Sequence, residues 1–136
     1  MNGVANGLYG GDLPNQINTP WIDFSEQSTI VGWSTFTQKT IRYKVVGNIV
    51  YVVFNITGTS NSTTTSFTLP VQSKTLFGNV YSNATDNNAS NIGGIYQAAI
   101  PSQVFIAYRH TSLTAISLTW TASGTKQIQG QFFYEI

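Results

Sequence analysis

Residues able to carry acid–base or nucleophilic chemistry are few in this chain of 136 residues. It has one histidine, His110, five carboxylates and no cysteine. A Ser-His-Asp assembly would use His110, but the Gly-x-Ser-x-Gly signature of a nucleophile elbow does not occur in the sequence. Glycoside cleavage needs two carboxylates that face one bond, and Asp23, although close to Glu26, is more typical of a turn cap. The sequence therefore predicts a protein that is not an enzyme.

Metal ligands are equally scarce. The sequence has no histidine pair, no thiolate and no Asp-x-Asp run, which are the patterns that hold zinc or calcium. We therefore expect no bound metal and no cofactor.

Charge is replaced by uncharged polar groups throughout the chain. Only 8% of the residues are charged, against about 25% in an average soluble domain. Ser, Thr, Asn and Gln together make up 52 residues. With a net charge of +1 there is no electrostatic reason to expect nucleic acid or an anionic membrane as a partner. The longest apolar run, residues 49–54, is too short to span a bilayer.

Two segments carry side chains suited to a saccharide. Residues 83–91 are rich in Asn and are read as a loop between two tyrosines, and a second tyrosine-containing segment ends in Arg and His. Aromatic rings stack on the apolar faces of sugars, and amides and carboxylates pair with hydroxyls. The predicted ligand-binding residues are Tyr81, Asp86, Asn87, Asn88, Tyr96, Tyr108, Arg109 and His110. The alternative is an exposed turn and an ordinary strand end, since Asn and Asp also favour turns.

These residues need a scaffold, and the pattern along the chain predicts strands. Apolar and polar residues alternate over residues 40–46, Gly47 and Asn48 suit a tight turn, and residues 49–57 continue as a second strand. Turn signals recur about every ten residues, as in sandwiches and barrels. We therefore predict an all-β fold of about eight to ten antiparallel strands. The tryptophans Trp21, Trp33 and Trp120 are expected in its core.

The second strand of this hairpin is apolar on both faces. One face carries Val50, Val52, Phe54 and Ile56, and the residues between them are also mostly apolar. In a strand with one face in water, apolar residues should instead alternate with polar ones. Either a loop covers the second face, or it meets another subunit. On the latter interpretation the subunit interface contains Ile49, Tyr51, Val53 and Phe133.

Residues 1–20 differ from the rest of the chain. Glycine and proline interrupt this segment, and its apolar residues follow neither a helical nor a strand spacing. Such a segment is typical of an extended arm. Its apolar residues, expected to attach to a partner, are Leu8, Tyr9, Leu13 and Ile17. The predicted organisation is thus an arm over residues 1–20 and a head domain over residues 21–136.

Several segments together carry a resemblance to a known family. They are Trp21-x-Asp23-x-Ser25, Gly32-Trp33-Ser34-x-Phe36, Ile41-Arg42-Tyr43-Lys44-x-x-Gly47-x-x-Val50-x-Val52-x-Phe54-x-Ile56-x-Gly58-Thr59-Ser60 and Phe67-Thr68-Leu69-Pro70. The pattern resembles the jelly-roll tip domains of tailed-bacteriophage fibres and appendage proteins. The closing Gly130-x-Phe132-Phe133-Tyr134 is similar to the last strand of trimeric tumour-necrosis-factor-like heads.

The resemblance implies a homotrimeric jelly-roll β-sandwich on the virion surface that binds a host cell-surface saccharide. Such a protein would be made in the host cytoplasm and released by lysis, with the arm attached to another virion protein. No ligand residue is carried over, because no binding loop of the family matches here. The alternatives are a capsid head fibre or decoration protein without a specific ligand, and a bacterial carbohydrate-binding module.

Overall fold

The computed structural model describes residues 17–63, 65–74, 80–86, 89–96, 103–112, 115–117 and 121–136. Ten strands and no helix occur in these residues, and all strand pairs are antiparallel. The strands are β1 (Ile22–Asp23), β2 (Ile30–Val31), β3 (Trp33–Val46), β4 (Ile49–Ser60), β5 (Thr65–Thr68), β6 (Val80–Asp86), β7 (Ala89–Tyr96), β8 (Gln103–Ser112), β9 (Ala115–Ser117) and β10 (Thr125–Glu135). The all-β prediction is confirmed. Across these ranges no helix has the length and apolar character to cross a bilayer.

The hairpin predicted over residues 40–57 is confirmed as the pair β3–β4. Val46 lies opposite Ile49, so Gly47 and Asn48 form the two-residue turn, and Gly47 adopts a φ of 60° that glycine tolerates without strain. Strand β3 begins earlier than predicted, because residues 33–39 also pair with β4. The register of this pairing shifts twice, between Trp33 and Thr35 and between Phe36 and Gln38. Such bulges let a long strand twist while it stays paired.

The sheet brings strands together that are far apart in the chain. Its order is β1-β3-β4-β10-β6-β7-β8-β5-β2, with β9 paired to β8. Although β5 lies four strands away from β10 in this order, the ring of Phe67 lies 5.4 Å from that of Phe54 and 6.3 Å from that of Phe132. The sheet therefore folds back on itself and packs face to face, which is consistent with a β-sandwich.

The core occupies the space between these two faces. Ile41, Val50, Val52, Ile56, Phe67 and Ile128 are fully buried, and Trp33, Val45, Phe54, Leu69, Phe132 and Tyr134 are nearly so. The predicted inner face of β4 is thereby confirmed, as is the burial of Trp33. Its indole Nε1 donates to the hydroxyl of Thr65 at 2.7 Å, which satisfies a polar group that burial would otherwise make costly.

The interpretation as a loop is wrong for residues 83–86 and 89–91. Residues 80–86 and 89–96 form β6 and β7, paired from Val80↔Ile95 to Asp86↔Ala89. The backbone of β6 also pairs with β10, from Asn83↔Gln129 to Asp86↔Lys126. Backbone hydrogen bonds do not depend on the side chain, so a partner strand holds this Asn-rich segment extended despite its turn-like composition.

The segment before β1 continues along the edge of β3. Thr19 donates its N–H to the carbonyl of Val45 at 2.9 Å, and Gly47 donates to the carbonyl of Ile17 at 2.8 Å. Ile17 itself is 52% exposed. The other predicted arm residues, Leu8, Tyr9 and Leu13, lie outside the described residues.

Candidate interaction face

Strands β3, β4 and β10 present a second face on the side opposite the core. We call it the outer face, and it consists of the side chains that alternate with the buried set. On β4 and β10 the burial alternates residue by residue from Ile49 to Ser60 and again from Lys126 to Glu135, with one irregularity at Gly130. The outer face contains Arg42, Lys44, Ile49, Tyr51, Val53, Asn55, Gln127, Gln129, Gln131, Phe133 and Glu135.

An apolar strip lies in the middle of this face. Tyr51 and Phe133 are direct cross-strand partners, and their ring centroids lie 5.9 Å apart with the planes tilted by 42°. Tyr51 is 42% exposed and Phe133 is 64% exposed. Ile49 and Val53, half-buried, flank Tyr51 on the same face of β4. The structure thus brings together all four residues that the sequence predicted for a subunit interface.

Polar groups surround the apolar strip, and few of them carry charge. The amide of Gln127 donates to the side chain of Asn55 at 3.4 Å, and Gln131 lies opposite Val53. Lys44 and Glu135 stand on either side of the strip, where the amine of Lys44 is held by the carbonyl of Thr19 at 2.6 Å. The face as a whole carries two positive side chains, Arg42 and Lys44, and one negative side chain, Glu135, so little like-charge repulsion separates two copies of the apolar strip.

A second group of side chains lies at the β1 edge of the same face, on β1, on β3 and on the residue that precedes β1. The expectation that Trp21 lies in the core is wrong, because its side chain is 45% exposed. The guanidinium carbon of Arg42 lies 5.6 Å from the centre of the Trp21 ring. Asp23 lies directly opposite Arg42 in the pairing of the two strands. We call these three residues the edge site.

The Asp23 carboxylate is held in place by Ser25. Oδ1 accepts hydrogen bonds from the Ser25 hydroxyl at 2.6 Å and from the Ser25 N–H at 2.9 Å. These bonds lower the pKa of Asp23 below its ordinary value, and the positive charge of Arg42 acts in the same direction against the opposing effect of desolvation. Sequence reasoning missed this group because tryptophan was assigned to the core. The spacing Trp21-x-Asp23 was the available signal, since strand residues two apart share a face.

The predicted ligand-binding residues are distributed over three strands. Tyr81 pairs with Gly94, and Arg109 pairs with the adjacent Gly93, so these two residues lie on the strands that flank β7. Asp86 lies at the opposite end of β6, where it pairs with Ala89, about 17 Å along the strand from Tyr81. Tyr96 ends β7, while Tyr108 and His110 lie on β8. Asn87 and Asn88 are outside the described residues.

Within the described ranges no group of three or more His, Asp and Glu side chains is placed to hold a metal ion. Comparison with family models, with curated proteins and with solved structures finds no match to this chain.

Proposed function

We propose that this chain is a non-enzymatic head domain of a bacteriophage fibre or appendage. In this proposal a jelly-roll β-sandwich assembles as a homotrimer through the apolar strip of the outer face and binds a saccharide on the host cell. The N-terminal arm attaches the head to another virion protein, and the protein works at the virion surface. The viral assignment rests on the resemblance of residues 21–136 to such heads, which is strongest over residues 21–70.

The exposed apolar strip is the observation that carries the assembly. Single exposed apolar residues are ordinary on a protein surface, but contiguous aromatic and aliphatic side chains on one sheet face are typical of an interface. Tyr51 and Phe133 are large, and aromatic residues are enriched in the buried centres of interfaces. Amides at the rim of the strip can hydrogen-bond to a second copy without burying charge.

Two other functions are also compatible with the exposed apolar strip. A capsid head fibre or decoration protein would keep the trimer and the arm but bind no specific ligand. A bacterial carbohydrate-binding module would instead remain a monomer and place a sugar on the exposed aromatic residues. The oligomeric state and the binding of host surface glycans distinguish these functions.

Size-exclusion chromatography with light scattering tests the assembly. The wild-type protein should have about three times the chain mass of 14.9 kDa. Changing both Tyr51→Ser and Phe133→Ser should lower the mass to that of one chain while circular dichroism stays unchanged, because both side chains lie outside the core.

The matched control is Val31→Ser, which removes a side chain that is 56% exposed but lies on β2, away from the outer face. It should leave the trimer intact. A wild-type protein that runs as a monomer contradicts the trimeric head and favours the carbohydrate-binding module. Binding of the labelled trimer to host cells or their purified surface polysaccharide separates a receptor-binding head from a decoration protein.

A further inference from the structure

We propose that Trp21, Asp23 and Arg42 form a binding site for a neutral saccharide at the edge of the sheet. This inference rests on the glycan-binding part of the proposed function and names a site for it. The site adjoins the apolar strip, since Arg42 is the cross-strand partner of Val53, but it shares no residue with the strip or with the predicted ligand-binding set.

The first component is an aromatic surface. Trp21 is 45% exposed although tryptophan is among the most hydrophobic side chains. The C–H groups of a pyranose ring form an apolar face, and an indole is the largest flat surface on which that face can stack. Arg42 lies over one face of the ring, with its guanidinium carbon 5.6 Å from the ring centre, and this contact restricts both side chains. The pyranose therefore stacks on the opposite face of the indole in this proposal.

The second component is a donor and an acceptor next to that surface. Arg42 contributes up to five N–H donors in a fixed plane. Asp23 faces it across the β1–β3 pair, and Ser25 occupies Oδ1, which leaves Oδ2 to accept from a ligand. A sugar hydroxyl both donates and accepts, so two adjacent hydroxyls match an Arg–Asp pair.

Charge selects a neutral sugar over an acidic one. Asp23 is ionised at neutral pH, because the ordinary pKa of an aspartate already lies well below 7 and the two hydrogen bonds from Ser25 lower it further. An anionic ligand at Arg42 would have to approach this carboxylate and be repelled by it. The nearby Lys44 amine points to the carbonyl of Thr19 at 2.6 Å and is held there.

Hydrogen bonds and packing hold the backbone around the site in place without a ligand. The Ser25 hydroxyl that holds Asp23 also accepts the N–H of Ile41 at 2.9 Å, and Ile41 is fully buried. Phe24 follows Asp23 and packs edge-on against Tyr43, with ring centroids 5.9 Å apart. A preorganised site loses little conformational entropy when it binds, which matters for ligands as weakly bound as monosaccharides.

Nuclear magnetic resonance of the indole N–H groups tests the site. The probes are glucose, galactose, mannose and N-acetylglucosamine, with glucuronic acid as the acidic comparison, each titrated to about 50 mM, well above a dissociation constant of about 1 mM. The Trp21 signal, assigned from Trp21→Phe, should shift with at least one neutral sugar. The Trp33 signal should stay in place, because that indole is buried and bonded to Thr65.

Variants identify the contributing groups. Trp21→Ala should lower the affinity for the neutral sugar that binds best about tenfold. Asp23→Asn and Arg42→Gln should each lower this affinity severalfold. The matched control Phe36→Ala removes another partly exposed aromatic, 39% exposed and stacked on Trp33 rather than at the edge site. It should leave the affinity unchanged, and thermal melting should show that every variant used is folded.

Several outcomes would overturn the site. If a sugar binds and Trp21→Ala binds it equally well, the edge site is wrong while the glycan-binding function stands. If no neutral sugar shifts the Trp21 signal, the proposed edge site is contradicted. Binding of the trimer to host cells then tests the glycan-binding function separately. Tighter binding of glucuronic acid than of glucose contradicts neutrality, and loss of the trimer in Trp21→Ala would place Trp21 in the subunit interface.

Discussion

The hydroxyl of Tyr134 is bonded twice to one residue, Val71. It donates to the Val71 carbonyl at 2.6 Å and accepts the Val71 N–H at 3.3 Å. Tyr134 lies on β10 with its ring buried against Phe132, whereas Val71 follows the end of β5. One phenol thus ties the segment after β5 to the last strand of the chain.

Tyr134→Phe should destabilise the fold without changing its shape. The variant keeps the ring but leaves both backbone groups of Val71 without this partner, which costs about 1–3 kcal/mol in the free energy of unfolding. The melting temperature should fall by roughly 3–10 °C. Tyr51→Phe is the control, since Tyr51 is 42% exposed, and it should change stability by less than about 0.5 kcal/mol. Equal effects of the two variants would contradict the role given to Tyr134.

The stability of the protein should fall in alkali partly through Tyr134. Burial raises the pKa of this phenol above its ordinary value of about 10, against the opposing effect of its hydrogen bond to Val71, and Tyr43 raises it further. The folded state therefore keeps a proton that the unfolded state releases, so this contribution is complete below pH 10 and is lost as the pH rises above it. Urea unfolding between about pH 9 and 11 should show a steeper loss in the wild type than in Tyr134→Phe. Parallel curves would contradict the prediction.

Gly58→Ala should be among the most destabilising substitutions on β4. A Cβ at this position would overlap the carbonyl oxygen of Thr35 and crowd the backbone of Phe36, where β3 changes register. A backbone atom cannot rotate away as a side chain can, so we expect a loss of about 3 kcal/mol. The neighbouring Thr57→Ala is the control and should cost about 1 kcal/mol or less. Denaturant unfolding measures both, and a Gly58→Ala protein as stable as the control would show that β3 can move away.

Phe132 and Phe133 should behave in opposite ways although they are adjacent in the chain. Phe132 is 5% exposed and packs against Phe54 and Phe67, whereas Phe133 is 64% exposed. Phe132→Ala should cost about 3–5 kcal/mol in the free energy of unfolding. Phe133→Ala, measured at low protein concentration where any trimer has dissociated, should cost less than about 1 kcal/mol. Similar losses in both would contradict the assignment of the two faces.

Short-range patterns predicted the parts of the fold that depend on neighbours in the chain. The hairpin over residues 40–57 follows from alternation and from a glycine at the turn, and the side-chain period of two assigns Val52 and Phe132 to the core. The same period predicted that Tyr51 and Phe133 point away from the core. Register and the pairing of β4 with β10 then brought them to 5.9 Å.

The sequence by itself therefore determined the all-β class, the main hairpin and the inner face of β4, because these depend on side-chain type and spacing within a few residues. Only the tertiary structure decided that residues 83–86 form a strand beside β10 and that Trp21 lies beside Arg42. Strand pairing is a contact between distant segments made by backbone groups that every residue carries, so composition does not reveal it. The edge site depends on such a pairing, which places Asp23 opposite Arg42.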